Sequence, residues 1–367
     1  MNRTSIEWCT HTVNPIRFRN NKTGKVGHYC EKISPGCKNC YASRMQTGPY
    51  LSGLEFRVEN RDKGELFFDE AVLAQVLRRR KPAVIFWSDM TDLFGEWVPD
   101  EWIDRCAAVV ALTPHLKHLW LTKRAGRMRE WAKSDERVNI GRHIEAFTLD
   151  PDLPDSDAPT DPDWPFSNLG LGVSVEDQQR ADERIPDLLE TPAAMRFVSV
   201  EPMLAAVDIN SYLPADNMCP RCGWVPIEGW ERYMNIHGSS AVCIQCGSHL
   251  PAPCLDWAIC GGESGPGARP MHPDWVRSIR DQSVSAGVPF LFKQWGGWEP
   301  CDQWPTPEPG SFYLIDKPEC CIDLEGHIHE SPSELPNGWK QVARVGKKAA
   351  GRLLDGREWD ERPEGWR

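Results

Sequence analysis

No apolar run in this 367-residue chain approaches the length of a membrane span, which excludes a helical integral membrane protein. The opening MNRTSIEWCTHT lacks the basic-then-apolar layout of a secretory signal peptide, so a cytoplasmic protein is expected. There is no HExxH motif, which sets aside a hydrolase or nuclease built on that constellation. No repeat array is visible. Positive charge is also short: 42 Lys and Arg face 53 Asp and Glu, for a net charge of −11. That balance argues against tight non-specific binding to DNA or RNA through counterion release. A local basic face can still act within an acidic protein, and Lys340–Arg357 is such a stretch, read as a solvated surface.

Cysteine is what the chain has in quantity. Its 14 cysteines, without a secretory signal, read as metal chemistry in a reducing compartment rather than a disulfide framework. Cys30, Cys37 and Cys40 follow the spacing C-x6-C-x2-C, with the turn formers Ser34, Pro35 and Gly36 in the first gap. Three thiolates on a four-iron, four-sulfur cluster leave one iron free to chelate a small molecule. Tyr41, directly after the third cysteine, offers a ring to pack against it. Two other readings stand beside this one: a zinc site completed by His28, and ordinary buried thiols. Farther along, Cys219-Pro-Arg-Cys222 and Cys243-Ile-Gln-Cys246 pair two CxxC knuckles. They predict a four-thiolate tetrahedron holding zinc in a ribbon-like module, or alternatively an auxiliary iron–sulfur cluster. The 17 tryptophans include Trp8, Trp87, Trp295 and Trp298 near strand ends. Such rings can stack on a substrate, but core packing accounts better for most of them.

Short apolar runs alternate with longer amphipathic ones. Strands are predicted at Ile6–Thr12, Gly64–Phe68, Ala83–Ser88, His118–Thr122, Leu169–Val175, Arg196–Val200, Trp257–Cys260 and Pro289–Phe292. Helices are predicted at Asp69–Arg80, Asp100–Leu112, Asp177–Leu189 and Asp274–Ala286, each opening on an Asp suited to capping. This alternation predicts an α/β fold with parallel strands and crossover helices. About eight such units favour a TIM-like (β/α) barrel, full or partial, over an open doubly wound sheet. The first part of the barrel is placed at 1–214, an inserted four-cysteine, zinc-ribbon-like module at 215–253, and the last strands with a C-terminal extension at 254–367. The acidic, Pro-rich run 150–165 has no hydrophobic period and reads as a loop.

In a parallel barrel the chemistry sits at the C-terminal strand ends. Here those ends lead into Asp89-Met-Thr-Asp92, Thr122-Lys123-Arg124, Glu176-Asp177, Glu201-Pro202 and Lys293-Gln294-Trp295-Gly296. Another leads into Gly261-Gly262-Glu263-Ser264-Gly265-Pro266-Gly267-Ala268-Arg269. Taken singly, Asp92 and Asp177 read better as a helix cap or surface charge; taken together, the strand-end groups converge on one site. Glycines such as Gly261 and Gly262 let the backbone approach a ligand closely. Glu263 can accept from an ammonium and Arg269 can clamp a carboxylate, the two groups at the amino-acid end of S-adenosylmethionine. A phosphate-binding turn is the competing reading of this loop.

Cys30–Tyr41 resembles the cluster-binding motif of radical S-adenosylmethionine enzymes. More closely, the chain resembles the uncharacterised phage-associated three-Cys-motif proteins, regarded as radical-SAM-like. The resemblance runs through Ile6-Glu-Trp, Ser88-Asp-Met-Thr-Asp-Leu-Phe, Leu121-Thr-Lys-Arg, Leu171-Gly-Val-Ser-Val-Glu and Ser199-Val-Glu-Pro. It continues through the 261–269 loop, Phe292-Lys-Gln-Trp-Gly and Gly346-Lys-Lys-Ala-Ala-Gly-Arg. Two departures stand out: the commonest spacing in the wider superfamily is C-x3-C-x2-C, and its Gly-Gly-Glu follows an early strand, whereas Gly261-Gly262-Glu263 follows a late one.

The resemblance implies a cluster on Cys30, Cys37 and Cys40, with S-adenosylmethionine on the fourth iron and a 5′-deoxyadenosyl radical as the reactive species. A flavodoxin- or ferredoxin-type electron donor follows from that chemistry. The phage association points to a nucleic-acid base or nucleotide as substrate, for example in thymidine-derived DNA hypermodification. Gly261, Gly262, Glu263, Ser264 and Arg269 are the candidates for cofactor binding. Glu201, Glu176 and Lys123 are the candidates for ribose or substrate contacts. The rival reading is a non-catalytic, zinc-dependent accessory or nucleic-acid-binding protein on the same barrel.

Overall fold

A computed structural model describes residues 1–134, 138–151, 163–214, 254–303, 319–330 and 335–366. Strands β1 (Asn2–Arg3), β2 (His11–Val13), β3 (Ile16–Asn20) and β4 (Val26–Gly27) open the chain, followed by helix α1 (Tyr41–Gln46) and β5 (Gly64–Phe68). Next come α2 (Glu70–Leu77), β6 (Val84–Trp87), α3 (Asp100–Ala111), β7 (Lys117–Thr122), α4 (Ala125–Lys133) and α5 (Val138–Thr148). Then β8 (Leu169–Val175), α6 (Gln178–Glu190), β9 (Met195–Val200), β10 (Trp257–Gly261), α7 (Pro273–Ser285) and β11 (Phe290–Gln294) follow. The C-terminal part adds β12 (Trp298–Pro300), β13 (Glu319–Ile322), β14 (Ile328–His329), β15 (Lys340–Arg344), α8 (Lys347–Ala350), β16 (Leu353–Leu354) and β17 (Arg357–Glu358).

One eight-stranded sheet, ordered β1-β2-β6-β7-β8-β9-β10-β11, organises the molecule, and only the β1–β2 pair is antiparallel. Because the strands follow chain order, successive parallel strands advance across the sheet in one direction. The sheet curls into a half-barrel, compatible with the partial barrel that the alternation predicts. Two expected strands change place. Gly64–Phe68 pairs antiparallel with β3 in a separate sheet ordered β4-β3-β5, outside the barrel. At the start of the chain, Ile6–Thr12 is mostly a turn, closed by Cys9 N–H donating to Ile6 O, and the strand begins at His11. Of the four Asp residues expected to cap helices, Asp177 does so with its side chain, accepting from Arg180 N at 2.9 Å. Asp69 makes no such bond, Asp100 and Asp274 lie inside the first turn, and the α7 cap is His272.

The two faces of the sheet carry different cargo, as the period of two along a strand requires. Ile85, Trp87, Trp120, Leu171, Val173, Val198, Phe290 and Phe292 pack under the helices. Phe86, Leu119, Phe197, Trp257, Ile259 and Leu291 line the concave face, where Trp8 and Trp366 join them from the two ends of the chain. Gly172 makes room on that face: a Cβ there would lie 2.5 Å from the Phe197 ring. The tail also covers the β11 edge, with Phe292 N donating to Trp359 O at 2.9 Å and an antiparallel bridge from Leu291 to Asp360. Lys340–Arg357, expected as solvated surface, is partly structural, with Val342, Ala343, Ala350 and Leu354 buried. Trp8, Trp87 and Trp295 are buried as core side chains. No helix among the described residues is long and apolar enough to cross a membrane. The expected four-cysteine module at 215–253 and most of the acidic loop lie outside the described residues.

Candidate cysteine-loop site

At the C-terminal end of the half-barrel the concave face turns from apolar to charged. Inward positions on β8 run Gly170, Gly172, Ser174 and then Glu176, and those on β9 run Met195, Phe197, Ser199 and then Glu201. Glu176 is fully buried and serves as a hub. Its Oε2 accepts from Lys123 Nζ at 3.2 Å and from Arg184 Nη1 at 3.1 Å. Lys123 also donates to Ser174 Oγ at 2.8 Å, and Ser174 in turn donates to Glu201 O at 3.1 Å. Burial alone would raise the Glu176 pKa, but Lys123 and Arg184 outweigh it and hold the carboxyl below its usual range. Glu201 pairs with Lys293. Burial works against that ammonium, yet Glu201 more than offsets it and raises the Lys293 pKa.

The cysteine loop lies across these groups. A single turn over Pro35–Cys37, with Cys37 N donating to Ser34 O at 2.9 Å, leads to Cys40 at the N-terminal end of α1. Gly36 N donates to Glu176 Oε1 at 3.2 Å. A Cβ at Gly36 would lie 3.2 Å from the Glu176 carboxyl carbon and 3.3 Å from Pro202, so glycine permits the approach. Arg269 Nη2 donates to Pro35 O at 3.1 Å. Asn39 Nδ2 reaches Glu263 Oε2 at 2.9 Å and Gly267 O at 2.7 Å, while Arg44 donates to the carbonyls of Ser264 and Pro266. Tyr41, expected to pack on the cysteines, donates its hydroxyl to Asp89 O at 2.7 Å. The Cys30 thiol is pushed well above its ordinary range by burial first and then by Asp92; Arg124 opposes this, and Cys40 and Cys37 add to it. Cys30 and Cys40 both pack against the small apolar cluster of Ala42, Phe56 and Met90.

The remaining strand-end residues are largely committed to one another. Glu263 accepts from Arg269 N and Nε, both at 2.9 Å, and from Arg269 Nη2 at 2.7 Å. Its carboxyl consequently sits below the usual range despite burial, through hydrogen bonds from Arg269 and Asn39. The Gly-Gly backbone makes its close approach to the chain itself: a Cβ at Gly262 would lie 2.0 Å from Trp295 O. Gly261, beside Glu201 and Lys293, leaves those side chains space. Asp92 is a structural clamp, accepting from Thr122 Oγ1, Phe94 N, Lys123 N and Arg124 Nη1.

Sequence reasoning passed over Ser88 and Asn39. Ser88, at the end of β6, has φ of 61° and a buried hydroxyl without a partner among the described residues. Strain of this kind collects at functional sites. A serine at a strand end was legible, but its left-handed backbone was not.

Among the described residues, the one group of three candidate ligand atoms mutually within 4.8 Å is Asp323, His327 and His329, not the cysteines. His28, the expected fourth zinc ligand, has its Nδ1 3.1 Å from Ile16 O, and burial lowers its pKa to about 4. Cys219, Cys222, Cys243 and Cys246 lie outside the described residues. Neither a curated protein nor a solved structure matches this chain. A family model described as "Protein of unknown function (DUF5131)" matches residues 3–363, nearly the whole chain, which therefore belongs to the DUF5131 family.

Proposed function

We propose that this chain is a radical S-adenosylmethionine enzyme. One observation carries the reading: three cysteines on one loop are clamped across the C-terminal ends of a parallel half-barrel. Cys30, Cys37 and Cys40 would hold a four-iron, four-sulfur cluster, with S-adenosylmethionine on its fourth iron. When bound, the pair supplies an electron and a carbon-centred radical for hydrogen abstraction. Glu263 and Arg269 are assigned to the methionyl ammonium and carboxylate, which would replace the bonds the two side chains now give each other. Gly261, Gly262 and Ser264 form the surrounding turn.

Both Glu176 oxygens are engaged, so it acts by fixing the loop, with Lys123 holding Glu176 in place. Glu201 and Lys293 are assigned to substrate orientation. Below them Phe197, Trp257 and Leu291 make an apolar floor that keeps water from the reacting carbon. The proposed substrate is a nucleic-acid base or nucleotide, with electrons from a flavodoxin- or ferredoxin-type donor. Binding to a polymer would weaken with salt and binding to a free nucleotide would not. Zinc or an auxiliary cluster is proposed for Cys219, Cys222, Cys243 and Cys246.

Anaerobic iron and sulfide analysis with EPR tests the reading on wild type and on the Cys30→Ala/Cys37→Ala/Cys40→Ala variant. The expected result is a reduced cluster signal that shifts with S-adenosylmethionine and is missing from the variant. Zinc alone, with no reconstitutable cluster, would overturn it and favour a zinc-dependent binding protein.

A further inference from the structure

The sequence Asp323-Leu-Glu-Gly-His327-Ile-His329 runs from the end of β13 into β14, with Gly326 at φ of 89° turning the chain. Its H-x-H spacing places His327 and His329 on one side of the extended chain, since side chains alternate along it. Asp323 is buried, and its Oδ1 is occupied by the His327 N–H at 2.8 Å. The other oxygen, Oδ2, is presented to both rings, 3.0 Å from His327 Nδ1 and 3.0 Å from His329 Nε2. The His329 ring is fixed by stacking on Trp339 at 3.8 Å, whereas the His327 side chain is 72% exposed. One ligand direction thus faces solvent.

From this geometry we infer a second metal centre, a site for a divalent first-row transition ion, Zn2+ in the first instance, on Asp323 Oδ2, His327 Nδ1 and His329 Nε2 with water in the fourth position. Metal bonds of about 2.0–2.1 Å give a tetrahedral edge of about 3.3 Å, so each ring nitrogen needs to part from Asp323 Oδ2 by only a few tenths of an ångström, and the three ligand atoms lie within 4.8 Å of one another. Two imidazoles in a set of three select against Ca2+ and Mg2+, which prefer all-oxygen shells.

The hairpin packs on α7 and on the segment that follows Glu201. Trp275 Nε1 donates to Leu324 O at 2.9 Å, and a Cβ at Gly326 would lie 3.4 Å from Leu204 O. Leu204 N in turn donates to Glu176 O at 2.8 Å. A cation here would fasten the hairpin against the segment that follows Glu201. The inference does not depend on the iron–sulfur reading.

The experiment is Zn2+ stoichiometry and Co2+ absorption on chelator-stripped full chain, comparing wild type with His327→Ala and Asp323→Asn. Wild type is expected to bind one equivalent more than either variant. The wild-type-minus-variant Co2+ spectrum should show ligand-field bands without thiolate charge transfer, which separates this site from any cysteine site. Equal stoichiometry in wild type and His327→Ala, or a difference spectrum carrying thiolate charge transfer, would overturn the inference. Should Asp323→Asn misfold, His327→Ala decides alone, because the exposed His327 ring is removed without opening the core.

Discussion

Glu176→Gln is the most informative single change, because Glu176 joins the barrel to the cysteine loop. The carboxylate is buried with no exposed surface and accepts from Lys123, Arg184 and Gly36 N. Glutamine keeps the shape, loses the charge, and turns an amide N–H₂ toward a guanidinium or a backbone N–H. Breaking a buried ion pair from one side costs about 3–5 kcal/mol. The Lys123 side chain is 20% exposed and regains some hydration, which favours the lower end, about 3 kcal/mol. Denaturant unfolding followed by fluorescence measures it, at fixed protein concentration and without added metal.

The pH dependence provides an independent check on the same residue. The folded Glu176 pKa lies below its ordinary 4.5, so the unfolded chain binds the proton more readily. The stability it contributes is therefore present above about pH 4.5 and is lost as pH falls through the folded value. The gap between wild type and Glu176→Gln should be widest at neutral pH and should close in acid. A neutral-pH loss under about 1 kcal/mol, or a gap that stays constant into acid, would refute the hub.

Two further outcomes follow from the core. Gly172→Ala should cost about 1–3 kcal/mol in the same unfolding assay, because the new Cβ meets the fully buried Phe197 ring at 2.5 Å and forces repacking; an unchanged midpoint would mean the ring is free to move. His118 is buried between Trp87 Nε1 at 2.9 Å and Thr113 Oγ1 at 3.0 Å, and burial lowers its pKa to about 3. It stays neutral in the fold while the unfolded chain takes up a proton below 6.5, so stability should drop by up to about 1.4 kcal/mol per pH unit below that point. His118→Gln should flatten this limb, and parallel curves for the two proteins would refute the assignment.

The barrel strands were legible where burial on both sides leaves no polar interruption. Leu169–Val175 is buried at every position, and its predicted bounds are those of β8. Gly64–Phe68 carries an equally local strand signal, but nothing in five residues states which sheet they join. β3, Ile16–Asn20, alternates apolar and charged residues as a half-buried strand does but offers no continuous apolar run, and α4 was missed because its first turn is Ala-Gly-Arg. At the site, the cysteine spacing and the acids at the strand ends could be read directly. Their pairings could not: Gly36 and Glu176 meet across 140 residues, and the bonds between Glu263 and Arg269 depend on a loop conformation that composition does not encode.

The six-residue cysteine gap and the Gly261-Gly262-Glu263 loop meet in the fold. In the first cysteine gap, Pro35 O accepts from Arg269 and Gly36 N donates to Glu176. Three residues between the cysteines would leave little chain for both contacts. The late Gly-Gly-Glu supplies the other half: its Glu263 and the following Arg269 bind Asn39 and Pro35 from the loop after β10. A short cysteine loop can set its own path through local turns. This longer one is stapled from β8 and β10, so its sulfur positions depend on groups far away in the chain. The six-residue gap and the Gly-Gly-Glu loop are thus complementary parts of one clamp, and altering either should disturb the cysteines without touching them.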